Sequence, residues 1–134
     1  MRVSSGVPGL DDLVGGGVPA RRLYVVSGPP GSGKTTLSTQ FLVEGAKQGE
    51  GGLFVSMHES REDIVEDMSG YGFGFERAVE TDRVTFVDVF SSEGKRLFQP
   101  PGKHRDASSL VNRLTGFIES NGVERVVVDS TMLL

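Results

Sequence analysis

Gly28-Pro29-Pro30-Gly31-Ser32-Gly33-Lys34-Thr35 spells G-x-x-x-x-G-K-[ST] in full, the pattern of a backbone loop that wraps phosphate. Glycines let successive N–H groups turn toward one anion where side chains would collide. The spacing brings the Lys34 amine within reach of β- and γ-phosphates and offers the Thr35 hydroxyl to Mg²⁺. Pro30, Gly31, Ser32, Gly33, Lys34, Thr35 and Thr36 are therefore the candidate residues for binding a nucleoside triphosphate. A Gly/Pro-rich turn is the alternative reading of the same letters, and the flanks argue against it. Leu23-Tyr24-Val25-Val26-Ser27 reads as a buried strand, rich in β-branched and aromatic residues. Thr36 to Gln48 reads as a helix ending near Gly49, with Leu37, Phe41 and Ala46 on or near one face. Strand, loop and helix are the context the motif requires.

Turn residues divide the rest of the chain. Gly6 to Pro19 is a Gly-rich approach in which Pro8 to Leu13 predicts one or two helical turns. Leu53-Phe54-Val55-Ser56-Met57 predicts a second strand, and Ser60 with Asp63 a capping box for a helix carrying Ile64, Val65 and Met68. Gly70, Gly72 and Gly74 then open a turn. Val84 to Val89 predicts a third strand, and polar Ser91 to Arg105, with Pro100, Pro101 and Gly102, an exposed loop. From about Asp106, Leu110, Val111, Leu114, Phe117 and Ile118 recur at helical spacing until Asn121-Gly122. Arg125-Val126-Val127-Val128-Asp129 reads as a buried strand ending in an acid. Alternating strands and helices predict an α/β fold, a parallel sheet with helices on both faces. Right-handed crossovers place the strand C-termini on one edge, where ligands of such sheets bind. The phosphate loop, His58-Glu59 and Asp129-Ser130 all fall there.

Bulk composition narrows the partners. The 134 residues suffice for one domain with a real core. Hydrophobics at 37% and charged residues at 24% are a soluble globular profile. A net charge of −4 gives no general pull toward nucleic acid or anionic membrane. Without cysteine there is neither a disulfide framework nor a Cys-based zinc site. No apolar run resembles a signal peptide or a membrane span, so the default expectation is cytoplasmic.

Two further acids are candidates. Asp129, closing an apolar strand, suits a carboxylate that holds Mg²⁺ through water opposite Thr35; a plain strand-end acid is the alternative. Glu59, just past the second strand, suits the base that orients and deprotonates an attacking water; charge compensation at the next helix N-terminus is the alternative. Lys34 joins Glu59 as a candidate catalytic residue through its contact with the transferring phosphate. His58 reads first as a polar strand-end residue. Lys103, His104 and Arg105 read as a solvated basic loop, and no aromatic residues interleave with basic ones to suggest nucleic-acid stacking.

Gly6-Val7-Pro8-Gly9-Leu10-Asp11-Asp12-Leu13, then Gly15-Gly16-Gly17-Val18-Pro19 and the phosphate loop, closely resemble the opening of KaiC-like ATPases of the RecA/RadA superfamily. Leu53 to Ser60 and Val126 to Ser130 match the later motifs. The resemblance implies a three-layer RecA-like P-loop NTPase core, often a ring with nucleotide between neighbouring subunits. It makes Lys34 and Thr35 the phosphate and Mg²⁺ residues and Asp129 the Walker B acid. Such proteins typically carry two glutamates after the second strand, the first treated as the activating base, where this chain has His58-Glu59; hydrolysis is expected to be slow, to rely on Glu59 or to be absent. They also continue past the Walker B strand, with a further strand inserted between it and the phosphate-loop strand. Residues 1–134 are thus expected to form one domain that is C-terminally incomplete. The expected activity is ATP hydrolysis in a regulatory role. The alternatives are a nucleotide-dependent switch with little turnover and, less favoured, a RadA-like recombination ATPase.

Overall fold

The computed structural model describes residues 1–22, 24–28, 33–98 and 107–129. In chain order the elements are β1 (Arg2–Val3), α1 (Leu10–Leu13), β2 (Val18–Pro19), α2 (Lys34–Lys47), β3 (Gly51–Ser56), α3 (Arg61–Ser69), α4 (Phe75–Glu80), β4 (Val84–Asp88), α5 (Ser92–Phe98), α6 (Ala107–Asn121) and β5 (Val123–Asp129). The main sheet is parallel in the order β4-β3-β5. Side-chain alternation along β3 sends Phe54 to one face and Leu53 and Val55 to the other, and each face finds its own cover. On one, Phe54 and Phe86 are register partners whose rings stack at 4.8 Å, with Phe75 edge-on at 6.2 Å from Phe54. Leu42, Val43 and Ala46 of α2, Ile64 and Met68 of α3 and Val79 of α4 complete that core. On the other, Leu114, Phe117 and Ile118 of α6 pack on Leu53, Val55 and Val87. The result is helix, sheet, helix, as expected of an α/β chain.

Local chemistry sets the element ends. Ser60 Oγ accepts the Asp63 N–H at 3.2 Å, the cap read from the sequence. α2 instead opens from Gly33, at φ 94° and with no side-chain cap hydrogen bond.

Several expectations change. The strand expected at Leu23 to Ser27 does not form in its described part: Tyr24 to Gly28 joins no ladder among the described residues, and Val25 is 66% exposed. A strand needs a hydrogen-bonding neighbour, and among the described residues this segment has none. The segment expected to be a loop from Ser91 contains α5, seeded where Ser91 Oγ accepts the Gly94 N–H at 2.8 Å; residues 99–106, with the basic cluster, lie outside the described residues. Val111, expected on the apolar stripe of α6, is exposed. Two elements lie outside the expected set. One is α4, whose Phe75, Ala78 and Val79 bury at helical spacing. The other is the antiparallel pair β1–β2 that closes the Gly-rich approach.

That approach is an ordered unit. The Asp11 carboxylate accepts the Ser5 N–H at 3.0 and 3.2 Å, and Arg2 Nη1 donates to the Gly17 carbonyl at 2.7 Å. Gln48 Nε2 donates to Ser4 Oγ at 2.6 Å, fixing the unit to the end of α2.

Candidate nucleotide site

The ladder aligns the three strand ends: Ser56 is register partner to Asp88 on one side and to Asp129 on the other. Each does something different there. Asp88 is buried and fully engaged, accepting the Arg61 N–H at 2.6 Å and the Phe90 and Ser91 N–H groups at 2.8 Å. It caps α3 and shapes the turn toward α5. The Ser56 hydroxyl donates to the Glu59 carbonyl at 2.7 Å and accepts the Glu59 N–H at 3.2 Å, which folds residues 56–59 into a tight turn. Glu59 and its neighbour His58 are exposed at this edge. The Met57 N–H reaches the Asp129 carbonyl at 3.3 Å, so the His58-Glu59 turn leaves the sheet directly beside the end of β5.

α2 arrives at the same edge with its N-terminus. Thr35 Oγ1 donates to Asp129 Oδ2 at 3.3 Å, joining residues 94 positions apart. Lys34 Nζ donates to the Gly28 carbonyl at 2.6 Å, across the span of the phosphate loop. Two further ammonium protons are available for other acceptors. A cleft of about 480 Å³ runs alongside, lined by Ser27, Gly33, Lys34, Thr36, Gln40 and Tyr71 among others. Of the residues expected from the sequence, Gly33, Lys34, Thr35, Thr36 and Asp129 come together, and Glu59 lies one strand away. Pro30, Gly31 and Ser32 lie outside the described residues.

The donor set fits Mg²⁺. A threonine hydroxyl beside one carboxylate supplies hard oxygens, and Mg²⁺ commonly takes one or two carboxylates with water and substrate phosphate making up the octahedron. Among the described residues no three His, Cys, Asp or Glu side chains converge, so the pair suits an ion shared with phosphates. No described helix is long and apolar enough to cross a membrane.

Sequence reasoning missed Ser56, Asp88, Tyr71 and Arg125. Asp88 did carry a signal: it stands at the end of an apolar strand as Asp129 does. Arg125 carried none of its own, although Gly45 in mid-helix hinted at a close approach.

Comparison with known proteins agrees with this architecture. A family model described as "ATPase: KaiC" matches residues 3–134. A UPF0273 protein of Methanopyrus kandleri is 33% identical over 96% of this chain and 53% of its own. The circadian clock protein KaiC3 of Synechocystis is 32% identical over 96% of this chain and 25% of its own. The crystal structure of a KaiC-like protein from Pyrococcus horikoshii superimposes with a TM-score of 0.77 at 30% identity, covering 96% of this chain and 55% of that one. The chain thus spans about half the length of the UPF0273 relatives it matches. The mixed α/β architecture is the RecA-type fold of that structure, and the chain belongs to the KaiC-like ATPase family.

Proposed function

We propose that this chain is the nucleotide-binding part of a KaiC-like ATPase that holds ATP with Mg²⁺ at the edge formed by α2, β3 and β5. The observation that carries the reading is the 3.3 Å approach of Thr35 Oγ1 to Asp129 Oδ2 beside Lys34. Lys34 and the N-terminal amides of α2 would neutralise phosphate oxygens. Thr35 would bind Mg²⁺ directly and Asp129 through water; bound there, the ion would screen the charge of the β- and γ-phosphates. Glu59 would orient a water and take its proton as the water oxygen bonds to the γ-phosphorus and the bond to the β–γ bridging oxygen breaks.

One feature favours a second reading, a nucleotide-dependent switch with little turnover. His58 stands where family members typically place the first of two glutamates, so one of the two carboxylates expected at that point is missing here. By family resemblance the partner is a second copy of the chain or another protein, in a ring-type assembly. Among the described residues no feature favours DNA recombination, and the net charge of −4 weighs against it.

Calorimetric titration with ATP and Mg²⁺, followed by phosphate release, tests both readings. Lys34→Ala should weaken binding by about 100-fold, the loss of a charged hydrogen-bond donor. For an ATPase, Glu59→Gln should keep binding and reduce release by about 10²–10⁴-fold. Binding with no release in the parent chain would select the switch. Unchanged binding in Lys34→Ala would remove the nucleotide reading altogether.

A further inference from the structure

Arg125 is the most deeply buried cation described, 2% exposed, and it lies on the same face of β5 as Asp129, four residues before it. Its guanidinium gathers three distant segments. Nη1 donates to the carbonyls of Ser4 at 2.7 Å and Phe41 at 2.9 Å, while Nε and Nη2 both donate to Glu50 Oε1 at 3.2 and 3.0 Å. The cation also sits 4.7 Å from the centre of the Phe41 ring. Room for it comes from Gly45, where an added Cβ would lie 2.5 Å from Arg125 Cδ. A buried guanidinium is tolerated only with this degree of satisfaction, and its planar fork fixes geometry as well as charge.

α2 and β5 therefore touch at two polar points. At one, Arg125 grips Phe41 and Gly45; at the other, Thr35 meets Asp129. The helix runs antiparallel to the strand, so the first contact sets how far α2 can slide or turn along β5, and hence where Thr35 stands. We propose that Arg125 is a positioning residue that holds Thr35 against Asp129, and that through Ser4 it couples the N-terminal unit to the Mg²⁺-binding pair. This rests on the nucleotide reading above for its metal, while the helix register it claims stands without one.

Two measurements on Arg125→Met and Gly45→Ala test it. The first is the ratio of ATP affinity with Mg²⁺ to that with EDTA. It should fall about tenfold in both variants, the size of a lost outer-shell support, with the EDTA affinity within about twofold of the parent chain. The second needs no nucleotide: amide hydrogen exchange should quicken at residues 33–38 and 126–129 as well as around residues 4 and 41–50. A purely local structural role would quicken only the latter segments, lower the melting temperature and leave the Mg²⁺ ratio intact, and that result overturns the proposal. If the parent chain itself shows no ATP binding that Lys34→Ala removes, the nucleotide reading has failed and hydrogen exchange alone decides on Arg125. Gly45→Ala keeps every side chain of the site, so it decides the matter if Arg125→Met does not fold.

Discussion

Phe54 and Val128 occupy neighbouring strands of one sheet in opposite circumstances. Phe54 is fully buried among two other aromatic rings and three helices, whereas Val128 is 45% exposed, as Val126 beside it on the same face is in part. From β3 toward β4 the protein is closed: apolar side chains interlock, and among the described residues no buried side-chain nitrogen or oxygen lacks a hydrogen bond. From β3 toward β5 it is open, with Val25 and Val26 of the segment before the phosphate loop also exposed. The candidate site lies on the seam. Lys34 and Thr35 come from a helix rooted in the closed half, and Asp129 from the strand that borders the open half. Polar chemistry thus sits where packing gives way, which lets a ligand reach it while one side stays rigid.

The contrast makes quantitative claims. The largest is Phe54→Ala, which should cost about 3–5 kcal/mol because stacked rings cannot collapse into the space left behind. Denaturant unfolding measures it, and a cost below about 1 kcal/mol would mean that the β4 side is no better packed than the β5 side. The smallest is Val128→Thr, which trades a half-exposed methyl for a hydroxyl and should shift stability by about 0.5 kcal/mol or less. A loss approaching that of Phe54→Ala would show that this face is covered in solution, and the contrast would vanish.

What could be read beforehand follows the same division. Where local and tertiary demands coincide, residues announce their structure: Ser60 before Arg61 is a helix cap in any context, and the alternation Leu53-Phe54-Val55 suits a sheet covered twice. Gly33 was legible for a similar reason, since a helix opening at φ 94° answers to backbone geometry alone. Tyr24 to Ser27 has the composition of a strand, yet pairing is a property of two segments, and composition reports on one. The α5 turn was hidden because its seed, Ser91 accepting from Gly94, looks like any polar loop. Arg125 was illegible at its own position, since a cation at the head of a valine run gains meaning only from Ser4, Phe41 and Glu50, which the chain brings to it from three distant places.

The register of β3 also implies a timetable. Gly52 meets Val84 across one stretch of chain and Arg125 across another more than twice as long, and each doubling of a closed loop adds about 0.6 kcal/mol of entropic cost. The β3–β4 pair, with its aromatic stack, is the natural nucleus, and β5 docks afterwards. Native-state hydrogen exchange should accordingly find β5 opening at lower free energy than β3 and β4; uniform protection across the three strands would refute that order. Since Asp129 and Arg125 both ride on β5, the Thr35–Asp129 pair is completed by the last strand to arrive, and a ligand bridging the two residues would act as a clasp on the least secure seam of the fold.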